Sequence, residues 1–230
     1  MAPDLAKRAA GEAAAKRVHD GMTVGLGTGS TTVFFIEALA RRIQTEGLTI
    51  CGIPTSEATA AHATRLGILL VALTPETRPD LTVDGADEAN AALDLIKGGG
   101  GALVREKLVA AASKQVLIIA DASKRVSTLG AFPLPIAVVP FAAENLIGIL
   151  RTEFEVDARH RRHADGCPVV TDDGLAILDL PFGIIKRPAI LDKRLKILPG
   201  IVETGLFINF ATCLICGYPD GHVAEFKPQT

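Results

Sequence analysis

The sequence predicts an α/β fold: a mostly parallel sheet with helices on both faces, plus a smaller α+β unit later in the chain. Three observations carry this. Helix and strand patterns alternate through the first 130 residues, as a parallel sheet with crossover helices requires. Residues 115–120 (QVLIIA) form an unbroken apolar run, the mark of a strand buried on both faces. After Pro133-Leu134-Pro135 the pattern changes to short strands, divided by the turn pairs Asp165-Gly166, Asp173-Gly174 and Pro199-Gly200.

The elements follow in order. Residues 4–18 are Ala-rich and charged and read as a helix. A strand at 23–26 and a helix at 31–42 come next, then a strand at 49–53. A helix at 57–66 is capped by Thr55 or Ser56. Strands are expected at 68–73, 81–84 and 115–120, with a helix at 102–113 between the last two. Beyond the Pro-rich break a helix is expected at 141–151 and short strands at 154–156, 168–170 and 175–178. A helix at 189–195 and a strand at 201–203 complete the smaller unit. The apolar run 211–216 reads as a strand returning to the main sheet. This division gives a main α/β domain of residues 1–131 and 206–230, and a small α+β domain of residues 132–205.

Composition narrows the function. The chain has 230 residues, 48% of them apolar, which is ample for a core and argues against disorder. A net charge near −2 gives no basic excess for nucleic acid. Aromatics are 4% with no Trp, so base-stacking platforms are not supported. Cys213 and Cys216 form a C-x-x-C, but on a strand that spacing puts them on opposite faces. They read as buried small hydrophobes, and no metal is expected. The longest apolar stretch, 134–150, is broken by Pro135, Pro140, Glu144 and Asn145 and is no membrane span. The N-terminal helix lacks the apolar region of a signal peptide. The default is a soluble cytoplasmic protein without membrane or nucleic-acid partners.

The chemistry concentrates in 84–107, DGADEANAALDLIKGGGGALVREK. Asp84 and Asp87 fall at the C-terminal end of a strand, the edge where α/β folds bind ligands. Lys97 follows a second mostly apolar stretch and should reach the same edge. Gly98, Gly99, Gly100 and Gly101 open a helix, and Glu106 lies about a turn and a half into it. A carboxylate base, a cation for a developing oxyanion and bare backbone suit moving a proton on a polar substrate.

A second site lies at 25–32, GLGTGSTT, between the first strand and the next helix. Alternating glycines expose N–H groups, Ser30, Thr31 and Thr32 add hydroxyls, and a helix N-terminus favours an anion. The spacing fits neither a dinucleotide fingerprint nor a P-loop. What remains is an anion cradle for a phosphate monoester. Lys124 follows the strand at 115–120 and is a candidate second cation for that phosphate. Lys7 and Arg8 read as a wet helix face from which a pocket could borrow one.

Together GLGTGSTT, VDGADEAN, IKGGGGALVREK and ADASK, in that order and spacing, resemble type A ribose-5-phosphate isomerase. Weaker similarity through FPLPIAVVP, VVTDDG, ILD and PGIVETGLF extends it over nearly the whole chain. The resemblance implies interconversion of D-ribose 5-phosphate and D-ribulose 5-phosphate in the pentose phosphate pathway, with no metal and no organic cofactor. It implies Glu106 as general base, with Asp84, Asp87 and Lys97 at the sugar. It implies a substrate-binding set of Thr28, Gly29, Ser30, Thr31, Gly85, Ala86, Gly98, Gly99, Gly100 and Lys124. It also implies a ferredoxin-like second domain and a homodimer or larger homo-oligomer.

As a base, Glu106 needs a pKa above the ordinary value of about 4.3. Partial burial and the nearby aspartates would raise it, while Lys97 would oppose that. Either Asp87 or Asp84 could open the furanose ring. Asp173 and Leu175 depart from the asparagines frequent in the family, and the resemblance does not place the run Arg159-His160-Arg161-Arg162-His163. Its H-x-x-H lacks a third ligand nearby and reads as a solvated loop. Rival readings are another sugar-phosphate reaction and a non-catalytic sugar-phosphate sensor. The intact acid/base set argues against the sensor, as does the single helix before the first strand, too little for a DNA-binding module.

Overall fold

The computed structural model describes residues 2–229. In chain order its main elements are α1 (Ala2–Ala15), β1 (Thr23–Leu26), α2 (Ser30–Glu46), β2 (Cys51–Pro54), α3 (Glu57–Arg65), β3 (Leu81–Asp84), β4 (Glu88–Ala89), β5 (Leu95–Ile96), α4 (Leu103–Ala112) and β6 (Val116–Asp121). There follow β7 (Leu134–Val138), α5 (Ala143–Phe154), β8 (Arg159–His160), β9 (Ala176–Leu180), α6 (Pro188–Lys196), β10 (Ile201–Thr204), β11 (Leu206–Phe207), β12 (Cys213–Gly217) and β13 (Val223–Phe226).

The main sheet has the order β13-β12-β6-β3-β1-β2, parallel throughout except for β13. Its two faces follow from the period of two along a strand. On β6, Leu117 and Ile119 join the cluster under α1 and α2, while Val116, Ile118 and Ala120 pack with Leu93, Leu95 and Phe207 on the other side. Cys213 and Cys216 divide the same way, one against each cluster. All parallel strands end at one edge, which gathers Gly27, Asp84 and Asp121.

The second sheet has the order β10-β7-β9-β8, fully antiparallel. With α5 and α6 its chain order is βαββαβ, a ferredoxin-like arrangement. Leu134, Ile136, Val138, Leu146, Leu150, Leu178 and Leu195 make its core. From the opposite face of this sheet Ala137 and Ile177 pack against Leu103 of α4. A third sheet, β11-β5-β4, is short and antiparallel.

Several expected elements differ. The strand at 68–73 reduces to one bridge, Leu70 to Gly52. It lies beyond the edge strand β2, and Leu69 is exposed, so nothing buries a second face. No strand forms at 154–156, because α5 runs on to Phe154 and Glu155 closes it in a left-handed conformation (φ 52°). Residues 168–170 make only isolated bridges to Arg162 and Ala176. The helix with Glu106 starts at Leu103, so the carboxylate sits at the end of the first turn. Ser56, not Thr55, caps α3, its Oγ accepting from Thr59 N at 3.0 Å.

Candidate active site

A cavity at the C-terminal edge of the main sheet is lined by thirteen of the residues expected from sequence: Thr28, Gly29, Ser30, Thr31, Gly85, Ala86, Asp87, Lys97, Gly98, Gly99, Gly100, Glu106 and Lys124. Lys7 joins them. Asp84 is not part of the lining. It lies under the cavity floor, 2% exposed, beside Lys97 and Glu106 at 3% and 4%.

The floor is a buried cluster of two carboxyl groups and one ammonium. Lys97 Nζ donates to Gly85 O at 2.7 Å and pairs with Asp84 Oδ2 at 3.1 Å. Its third neighbour is Glu106 Oε2, at 3.3 Å. That approach lacks hydrogen-bond geometry, and the buried Oε2 has no hydrogen-bond partner among the described residues. A buried acceptor left open at a cavity floor is poised to take a proton. Burial, and then the Asp84 charge, push the Glu106 carboxyl up to about 8, with Lys97 opposing. Burial tends to lower the Lys97 ammonium, but Asp84 and Glu106 outweigh it and hold the pKa above the ordinary lysine value. Burial also raises Asp84, against Lys97 and the N–H groups of Gly85 and Thr28.

Chain topology explains how these groups meet. Asp84 is the last residue of β3. Its Oδ1 accepts from Gly85 N at 2.7 Å and Thr28 N at 3.1 Å. Gly27 permits this: a Cβ there would lie 2.6 Å from the Asp84 Cα. So this glycine serves the approach of β1 to the carboxylate and not the phosphate cradle. Lys97 arrives from β5 of the small third sheet, its own N–H held by Gly205 O at 2.9 Å. Glu106 is fixed by α4, which the next residue anchors. Lys107 Nζ donates to the carbonyls of Thr204 and Leu206, both at 2.7 Å, and to Glu203 at 2.9 Å.

The other end of the cavity is the N-terminus of α2. No side chain caps this helix, and its N-cap is Gly29 (φ 125°). First-turn N–H groups have no intrahelical partner and are available to an anion. Lys7 donates to Ser30 Oγ at 2.9 Å, and Lys124 stands in the turn after β6. Of Lys7 and Arg8 on the wet helix face, Lys7 is the one that the cavity borrows. Nothing in the local pattern links α1 to the first loop, since their meeting depends on α1 packing across the sheet. The Thr28 hydroxyl is already engaged by Thr55 and Ser56 at 2.8 Å and Thr59 at 3.1 Å. Thr28 therefore shapes the wall of the cavity, while Gly29, Ser30 and Thr31 carry the anion-facing backbone.

Between the two ends stands Asp87, whose Oδ2 accepts from Gly99 N at 2.7 Å. A Cβ at Gly99 would sit 2.6 Å from Asp87 Oδ1, so the close approach requires glycine. The described residues contain no group of three or more His, Cys, Asp or Glu placed to hold a metal, and no helix long and apolar enough to cross a membrane.

The arrangement offers a proton acceptor beside a cation at one end and an anion site with two lysines at the other. The family model described as ribose 5-phosphate isomerase A (phosphoriboisomerase A) matches residues 51–221. A ribose-5-phosphate isomerase A from Caulobacter sp. (strain K31) is 50% identical over 226 residues, covering 97% of this chain and 98% of that protein. The solved ribose 5-phosphate isomerase from Plasmodium falciparum superposes with a TM-score of 0.94 at 34% identity, covering 99% of this chain and 100% of that one. A D-ribose-5-phosphate isomerase solved in complex with phospho-erythronic acid gives a TM-score of 0.92 at 35% identity, covering 96% and 97%.

Proposed function

This chain belongs to the ribose 5-phosphate isomerase A family and is an isomerase of ribose 5-phosphate; from that premise we propose that it interconverts D-ribose 5-phosphate and D-ribulose 5-phosphate by proton transfer at Glu106 through an enediolate. One observation carries the reading: a buried carboxylate with an open oxygen beside a lysine, in one cavity with an uncapped helix N-terminus and two further lysines.

The phosphate lies at Gly29, Ser30 and Thr31, with Lys7 and Lys124 as cations. That places the sugar carbons toward Lys97 and Glu106. Glu106 takes the C2 proton of the open-chain aldose and returns it to C1 on the same face, while the proton on the C2 oxygen passes to the C1 oxygen at the enediolate stage. The negative charge that develops on the substrate oxygen is met by Lys97, a fixed ammonium in a water-poor site. Asp87 lines the cavity and Asp84 does not, so Asp87 is the acid/base that opens the furanose. Asp84 acts instead on the charges of Lys97 and Glu106. Binding energy from the phosphate, remote from the reacting carbons, orients them. Phospho-erythronic acid would place a carboxylate where the enediolate forms and so compete with substrate.

We further place the enzyme in the pentose phosphate pathway of the cytoplasm, as a homodimer or larger homo-oligomer. Residues 1–131 with 206–230 form its main domain and residues 132–205 its small one. The decisive experiment uses ribose 5-phosphate deuterated at C2. Partial retention of deuterium at C1 of the ketose, with a primary isotope effect, is expected of one base shuttling one proton. Complete retention even in turnover-limiting exchange conditions would indicate hydride transfer, and the proton-transfer reading would fail.

A further inference from the structure

Within the basic run 159–163, Arg159, Arg162 and His163 are exposed. Arg161 is not: its side chain is 16% exposed, and its guanidinium spans two units of the fold. Nε donates to Asp179 Oδ2 at 2.9 Å, and Nη2 donates to Asp179 Oδ1. Nη1 reaches across to the glycine loop, donating to Gly98 O at 2.7 Å and Gly99 O at 3.0 Å. The Arg161 backbone is held as well, its N–H donating to Ile177 O at 2.8 Å.

The Gly98 carbonyl and the Gly99 N–H belong to one peptide group. Arg161 holds its oxygen, and Asp87 accepts from its N–H at 2.7 Å. A peptide between two glycines has no side chain on either flank to resist rotation; its oxygen is held here by Arg161 and by the turn bond from Gly101 N at 3.0 Å. Rotated, it would turn its oxygen toward the Asp87 carboxylate. A cation on the carbonyl opposes that rotation and also strengthens the N–H as a donor.

We propose that Arg161, steered by Asp179, is a positioning residue of the isomerase. With the Gly101 N–H it locks the Gly98–Gly99 peptide with its N–H toward the cavity and so sets Asp87 against the substrate. The proposal rests on the isomerase reading above and adds to it a contribution from the small domain. Arg161 itself does not line the cavity.

The test compares wild type with Arg161→Met, Arg161→Lys, Arg161→Ala and Asp179→Asn, using ribose 5-phosphate turnover and competitive inhibition by inorganic phosphate. Arg161→Met should lower kcat about 10–100-fold, the scale of a misplaced reacting group. KM and the phosphate inhibition constant should stay within about threefold, since the phosphate end is untouched. Arg161→Lys should recover little, because an ammonium cannot hold Asp179 with two bonds and also reach the loop. Millimolar guanidinium should restore Arg161→Ala saturably, an effect a general folding defect would not show. If Arg161→Ala does not fold, Asp179→Asn should still lower kcat with KM held. Wild-type kcat in Arg161→Met would overturn the proposal. So would parallel loss of turnover and phosphate binding without guanidinium rescue. An inactive wild type would instead sink the isomerase reading itself.

Discussion

Asp84→Asn should move the pH dependence of catalysis while leaving the base in place. Asp84 and Glu106 flank one ammonium, with carboxylate oxygens 3.1 and 3.3 Å from Lys97 Nζ. Two oxygens so placed are at most about 6.4 Å apart. At an effective dielectric of about 20, one charge at that limit raises the other acid by about 2.6 kcal/mol, or about two pKa units, and by more at any closer distance. The substitution keeps the local backbone, because both backbone N–H bonds go to Oδ1, which an asparagine retains as its carbonyl. In wild type Glu106 sits at about 8 and must be ionised to accept a proton. The kcat/KM for ribose 5-phosphate should therefore rise about fivefold from pH 7 to 8 and level off above. In Asp84→Asn the limb should fall to about pH 6, so the same interval should be almost flat. Initial rates of ketose formation across pH 5.5–9.5 test this. The substrate phosphate ionises in the same way with both enzymes, so the difference between them is the readout. A limb that stays near 8 in the variant would refute the charge coupling. A wild-type profile without a limb between 7 and 9 would refute the buried base.

Four further outcomes are expected. Glu106→Gln should lower kcat about 10²–10⁴-fold with little change in KM, and near wild-type turnover would remove Glu106 from the role of base. The same variant should melt higher than wild type at alkaline pH. A carboxyl whose folded pKa lies above its unfolded one gives stability that is complete at low pH and lost as pH rises through about 8. Thermal unfolding at pH 5 and 8.5 should show the gap widening with pH. Lys124→Ala and Lys7→Ala should each raise KM for ribose 5-phosphate about tenfold or more, the weight of a charge-assisted bond, while scarcely affecting the poor substrate ribose. Equal losses on both sugars would move the phosphate site elsewhere. Full activity should survive exhaustive chelation, since no cluster of ligand residues with metal spacing is present in the sequence. Activity lost to chelator and restored by one divalent ion would overturn that.

The fold class and much of the cavity lining were legible in the sequence. Strand 115–120 announced itself by an unbroken apolar run, and β6 is found at Val116–Asp121. The cavity lining at 28–31, 85–87 and 97–100 consists of contiguous loop segments, each next to an element with a clear pattern. Less visible were the short strands. β4, β5, β8 and β11 are two residues each, and a pair of residues has no period to read. Phe154 looked like part of a strand because it is aromatic and followed by Glu155 and Val156. Helix α5 claims it, since Leu146 and Leu150 carry its buried stripe up to that point.

Local order along the chain carries the apolar periodicity, the glycine loops and the residue types at strand ends. It therefore named Glu106, Asp87, Lys97 and Lys124. Tertiary structure decided which charges share a dielectric. It put Asp84 beneath the floor instead of in the cavity, and lifted the Glu106 carboxyl through burial. It brought Lys7 to Ser30 and Arg161 to the Gly98 and Gly99 carbonyls. The Arg161 contact joins residues more than sixty positions apart. Such contacts exist only because α1 packs on the sheet and the four-stranded unit packs on α4. Electrostatic coupling depends on separation in space and on excluded water, and neither quantity is written along the chain.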